Sequence, residues 1–257
     1  GRALDDSLPK YLNTPETPIF HKGRTLYGLT TAREAARKNN ETLVVEGYFD
    51  LLALYNQAIC QVVAPLGTAL THQHVRLLSR LAPKAVLVFD GDEAGMRAAM
   101  RSLEFFLREK LPVRFLPLPE GMDPDDFLSE KGKEPFMQLL SEAKPLMEVF
   151  LEQALSKYDG SVEGRLAVVR GVTPMLRLLD SPVAQEGYLR MLDQRLGVSE
   201  EALRAELGMK TPRRSSVAKG FKGEKKIRLP EWEEEIIRIL VHYPHWIPTL
   251  EENSGLE

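Results

Sequence analysis

Between residues 41 and 131 the apolar positions fall into short continuous runs, each followed by a stretch with helical spacing. The runs at 42–46, 61–65, 85–90 and 113–118 are too short for buried helices and rich in Val, Leu, Ala and Phe, so they predict strands. Helices are expected near 49–58, 72–81 and 93–110, with a short one from 124. Apolar strands alternating with helices predict a parallel α/β sheet covered on both faces, with right-handed crossovers. Upstream, residues 1–29 are rich in Pro and Gly and predict short strands and loops. Thr31-Ala32-Arg33-Glu34 has capping-box spacing and is expected to open a short helix. Beyond about 132 the strands are expected to stop, and 133–157, 161–179, 183–196 and 199–207 read as amphipathic helices. Residues 208–229 mix Lys, Arg, Gly, Ser and Pro without apolar periodicity and read as a linker. A last helix, Glu231–His242, sets Trp232, Ile236, Ile239 and Leu240 on one pattern. The expected parts are therefore 1–40, 41–131, 132–207, 208–229 and 230–257.

Composition narrows the picture modestly. A chain of 257 residues allows one large domain or two to three small ones. No apolar stretch nears the ~20 residues of a membrane span, so no membrane association is expected. The opening Gly1-Arg2-Ala3 shows neither an initiator Met nor a signal pattern, and the chain is read as an internal piece. One cysteine, Cys60, excludes an intrachain disulfide, fits a reducing cytosol and is expected in the core. The five histidines lack cysteines at zinc spacing, so no zinc site is expected within this sequence. The net charge of −3 conceals a basic 208–229 stretch and an excess of Lys and Arg over acids in residues 1–40.

Six acids stand where the expected strands end: Glu46 with Asp50, Asp90 with Asp92, and Asp123 with Asp125. Parallel strands end on one edge, so the three clusters should converge there. Converging carboxylates repel, and a hard divalent cation with a preference for oxygen ligands would relieve them. Each pair also has a plainer reading. Asp50 would suit the first turn of a helix. Asp92 would serve as an N-cap, although capping does not require Asp90. Asp123-Pro124-Asp125-Asp126 is a standard helix start. An EF-hand at Asp90 fails, because its twelfth position is Arg101 and a strand precedes it. There is no Walker A sequence and no G-x-G-x-x-G after the first strand. The loop Ala64–Thr71 could touch a phosphate or be a tight turn capped by Thr71.

A Glu after one strand and D-x-D after a later one resembles the Toprim domain. The segment from Pro9-Lys10-Tyr11-Leu12-Asn13 to Phe20-His21-Lys22-Gly23, with Leu26-Tyr27-Gly28-Leu29, Ala64–Thr71 and Phe89–Gly95, resembles the bacterial DNA primase family. The resemblance runs from Gly1 to roughly 150 and continues more loosely through the helical region. It implies an α/β Toprim-type parallel sheet followed by an all-α helical subdomain. It implies metal ligation by Glu46, Asp50, Asp90, Asp92, Asp123 and Asp125, with Mg²⁺ or Mn²⁺ as the metal and Glu46, Asp90 and Asp92 as the catalytic acids. The carboxylates of Glu46, Asp90 and Asp92 are expected within ~8 Å of one another on one sheet edge. Contacts to a single-stranded DNA template fall to Arg2, Lys10, Asn13 and Lys22. The family further implies NTP substrates, a zinc domain upstream of this sequence, a replicative helicase bound through the C-terminal region, a monomer, and a bacterial cytoplasm close to the nucleoid. The expected function is RNA primer synthesis. The alternatives are another Toprim enzyme, a topoisomerase or nuclease, or a piece that only binds DNA or helicase.

Overall fold

The computed structural model describes residues 15–208. The chain divides into two compact units, Gly1–Thr211 and Pro212–Glu257, and the described residues all belong to the first. Arg2, Lys10, Asn13, the expected strands and loops before residue 15, almost all of the basic linker and the helix with Trp232 lie outside the described residues.

Six strands form one sheet in the order β1-β3-β2-β4-β5-β6: β1 Leu26–Tyr27, β2 Thr42–Val44, β3 Val62–Pro65, β4 Ala85–Phe89, β5 Val113–Pro117 and β6 Lys144–Pro145. The four inner strands are parallel, with Val44 opposite Leu87 and Leu87 opposite Phe115. Both edge strands run antiparallel. β6 interrupts the stretch read as one helix over 133–157. Pro145 lacks an amide hydrogen and suits an edge strand, so the stretch splits into α6 Lys133–Ser141 and α7 Leu146–Ser156.

Strand periodicity creates two cores. Val44, Leu87 and Phe89 face one side with α1 Leu29–Asn39, α3 His72–Leu78 and α4 Glu93–Arg108. Leu43, Val45, Val86 and Val88 face the other, against α2 Tyr48–Asn56, α5 Pro124–Lys131 and α6. Every residue of β4 is buried, which is why its run is uninterrupted. The first core extends through α7, α8 Val162–Leu178, α9 Pro182–Leu196 and α10 Glu200–Glu206, so the C-terminal helices share it with the sheet.

Three local expectations change. α1 begins at Leu29, two residues before Thr31. Gly28 takes φ 77 at its N-cap, and Thr31 Oγ1 donates to Gly28 O at 2.9 Å. The Thr31–Glu34 spacing therefore lies inside the helix and does not open it. Cys60 is half-buried, on the turn between α2 and β3. At the opposite strand ends from the acids, buried Glu41 accepts from Arg114 Nη2 at 2.7 Å and pairs with Lys84 at 3.3 Å. No sequence spacing pointed to this knot, because its members come from three separate segments.

Candidate metal and nucleic-acid site

β2 and β4 are parallel neighbours, so Glu46 and Asp90, each just past its strand, emerge on the same edge. Glu46 Oε1 accepts the Asp90 amide at 3.3 Å, which joins the two loops directly. α2 starts behind Gly47, and Asp50 in its first turn accepts the Gly47 amide through Oδ2 at 2.9 Å. Asp92 caps α4, its Oδ1 accepting from Gly95 N at 2.7 Å. Asp123 caps α5 ahead of Pro124, its Oδ1 accepting from Asp126 N at 2.7 Å. The capping readings of Asp92, Asp123 and Asp50 therefore hold, and these helix starts are also what brings the acids to one edge.

Close backbone approach explains two glycines of the Asp90–Gly95 loop. A Cβ on Gly91 would collide with the carbonyls of Leu118 and Pro119. One on Gly95 would sit 2.9 Å from Glu46 Oε1 and 2.5 Å from Asp90 O.

The electrostatics are those of crowded anions. The pKa of Asp50 is raised to about 7, chiefly by burial and further by the charges of Asp123, Asp90 and Glu46, against the lowering effect of the Gly47 hydrogen bond. Burial also raises Glu46, helped by Asp90 and Asp92 and opposed by the Asp90 amide and by Arg101. Asp90 is raised by burial and then by Asp123, Asp92 and Asp126. Asp125 is exposed and is not among the charges that perturb its neighbours; from α5, Asp126 takes that part at Asp90. Arg101 and Asp126 were not read as site residues from the sequence. Their helical positions alone do not show that they face Glu46 and Asp90.

Among the described residues, no three acids, histidines or cysteines close into a ready ligating group. The oxygens of Asp50, Asp92 and Asp123 that face the backbone are engaged by amides. The donor set still fits a hard divalent cation: it is all carboxylate, gathered on one edge, and neighbouring acids add to the burial that raises the pKa of Glu46, Asp50 and Asp90.

Lys22 opens a 3₁₀ turn, Lys22–Arg24, held against α3. Thr71 caps α3 and donates through Oγ1 to Gly23 O at 2.6 Å. The Thr71 amide donates to His74 Nδ1 at 3.2 Å, so the imidazole carries its proton on Nε2 and donates to Lys22 O at 2.7 Å. His74 is fully buried, and burial lowers its pKa against the raising effect of its backbone hydrogen bonds to Lys22 and Thr25.

Comparison with known proteins places these features in a family. A Toprim-like model matches residues 43–128, a model of the N-terminal domain of the DNA primase catalytic core matches 1–33, and a model of the DnaB-helicase binding domain of primase matches 147–201. The last match falls on α7–α9 and not on the residues after Pro230. The DNA primase of Pseudomonas aeruginosa is 40% identical over 87% of this chain, which spans 34% of that relative's length. A crystal structure of a DNA primase domain from the same organism superposes with a TM-score of 0.72 at 41% identity, covering 80% of this chain and 66% of that one. A DnaG primase catalytic domain bound to single-stranded DNA gives 0.70 at 37% identity, covering 78% and 65%. With primase matches over its start, its sheet and its helices, and close likeness in sequence and fold to primases, this chain belongs to the DNA primase family.

Proposed function

We propose that this chain carries the nucleotidyl-transfer centre of a DNA-templated RNA polymerase that makes short primers for replication. The observation that carries the reading is the convergence of Glu46, Asp50, Asp90, Asp92 and Asp123 on one sheet edge, where each of the three shifted acids, Glu46, Asp50 and Asp90, holds its proton more tightly than usual. Glu46, Asp50, Asp90, Asp92, Asp123 and Asp125 would hold Mg²⁺ or Mn²⁺. Such ions would screen the triphosphate of an NTP and acidify the attacking 3′-hydroxyl. Glu46, where it stays off the cation, would instead receive the proton that leaves as the hydroxyl attacks the α-phosphorus and pyrophosphate departs. Lys22, with Arg2, Lys10 and Asn13, would hold template phosphates through contacts that tolerate any sequence. The single-stranded DNA in a neighbour's structure supports that substrate. The helicase-binding match supports a replicative helicase as partner, with a candidate contact on α7–α9. Among the described residues no helix is long and apolar enough to cross a membrane, and replication would place the protein in the cytoplasm, acting as a monomer at the fork.

The test is primer synthesis from labelled NTPs on single-stranded template with Mg²⁺ or Mn²⁺. In the full-length protein, Asp90→Ala is expected to remove synthesis by 10²-fold or more and to leave the melting temperature unchanged or higher. A folded variant that makes primers at the normal rate would overturn the assignment.

A further inference from the structure

A second charged feature lies away from the acids. Arg24, Arg76 and Arg80 line a cavity of about 250 Å³ together with Gln73 and Leu77. That is smaller than the roughly 300–1,000 Å³ of pockets that enclose drug-sized ligands, so it suits a compact group. All three arginines are exposed, and among the described residues none takes part in an ion pair. Arg97 and Arg108 on α4, by contrast, each hold a glutamate one turn away. Arg76 lies in the last turn of α3 and Arg80 in the turn just past its C-cap Ser79, and both bring their charge to the same small cavity. Arg24 adds a third guanidinium, so three like charges line one cavity with no acid among its walls.

The pocket is also preassembled. Arg24 ends the turn whose preceding carbonyls, Lys22 O and Gly23 O, are fixed by His74 and Thr71 of the α3 segment. The backbone is thus in place, and a ligand has only the guanidinium side chains to order. Guanidinium groups match phosphate oxygens in bidentate fashion. The lining has no aromatic ring for a base to stack on and no acid to bind a metal or a ribose hydroxyl, so it fits a phosphate and not a whole nucleotide. Its turn is the one that carries Lys22.

We propose that Arg24, Arg76 and Arg80 form a backbone-phosphate pocket for single-stranded nucleic acid, continuing onto α3 the contact begun at Lys22. The choice of strand rests on the template reading of Lys22 above. The test is binding of a mixed-sequence single-stranded DNA to the 257-residue chain by fluorescence anisotropy across a salt series. Arg76→Gln/Arg80→Gln is expected to weaken binding several-fold and to lower the salt slope by about 0.7, the value for one phosphate on a single strand. Arg76→Lys/Arg80→Lys is expected to keep most of the slope. Methylphosphonate DNA, with its neutral backbone, is expected to bind the wild type and the glutamine variant alike. Lys22→Gln is measured in parallel. Loss at the arginines without loss at Lys22 keeps the pocket and removes the template role of Lys22. Loss at Lys22 with affinity and slope unchanged at the arginines, in variants that melt normally, overturns the pocket. Inorganic phosphate binding that needs the arginines, with DNA binding that does not, marks a free-anion site and also overturns the proposal.

Discussion

Asp50 shows at the scale of one residue how stability and function pull apart. Its Oδ2 tethers the start of α2 to Gly47, yet the side chain is buried among three other acids. Its folded pKa of about 7 lies above the unfolded value of 3.8. The stability tied to this proton is therefore complete below about pH 4 and is lost as pH rises through 7. At about 1.4 kcal/mol per unit, the cost above pH 7 reaches roughly 4 kcal/mol when no cation neutralises the site. Asp50→Asn keeps an acceptor for the Gly47 amide and removes the charge. It is expected to raise the melting temperature at pH 8 and to leave it nearly unchanged at pH 4. An equal shift at both values would mean that the carboxylate is not under this strain. Mg²⁺ should narrow the gap at pH 8, because a ligand that binds only the folded form stabilises it. The sequence showed Asp50 as a member of the cluster. Its burial came only with α2 and α5 packing on the same face.

Among the elements, the site is assembled from helix starts, and substitutions there separate capping from chemistry. Asp90 caps nothing, so Asp90→Ala relieves repulsion and is expected to be neutral or stabilising. Asp92 holds the Gly95 amide, so Asp92→Ala is expected to cost about 1 kcal/mol as well as activity. Urea unfolding of the two variants without metal checks the difference; equal stabilities would deny Asp92 its cap. Gly95 makes a sharper case. In an ordinary helix Gly→Ala gains about 1 kcal/mol. Here the added methyl would meet Asp90 O at 2.5 Å and Glu46 Oε1 at 2.9 Å. Gly95→Ala is expected to destabilise by about 1–3 kcal/mol and to impair primer synthesis by displacing Glu46. A stabilised, active Gly95→Ala would refute the close approach. The sequence displayed the glycine, but only the approach of the start of α4 to Glu46 gave it a distant neighbour to avoid.

For the molecule as a whole, one core runs from Ala85, Leu87 and Phe115 of the sheet, through Phe106 of α4, to Leu151, Val172 and Leu192 of the C-terminal helices. Helices that bury the sheet's own residues should melt with it. Calorimetry is expected to show one transition for the unit that holds residues 15–208, with calorimetric and van't Hoff enthalpies in agreement. Separate transitions for the sheet and for α7–α10 would contradict the shared core.

Elements whose signal is local were legible in the chain alone. Four inner strands, their parallel sense and the helices after them follow from run length and period, because side chains on both faces of a covered strand must be apolar; the order of the strands did not. The gathering of Glu46, Asp50, Asp90, Asp92 and Asp123 could be read because strand ends in a parallel sheet fall on one edge, whereas the exposed side chain of Asp125 depends on how α5 turns. Tertiary structure decided what depends on partners distant in sequence. β6 needed β5 beside it before a two-residue Lys144–Pro145 segment became a strand. Glu41 needed Lys84 and Arg114 brought to its side. Asp126 and Arg101 entered the electrostatics of the acids through the way α5 and α4 turn, and the turn at Lys22 was fixed by a histidine 52 residues away. A periodic pattern reports which face of an element is buried. It carries no record of which charge lies across the gap, and such charges add to burial in raising Glu46, Asp50 and Asp90 and gather three arginines around one cavity.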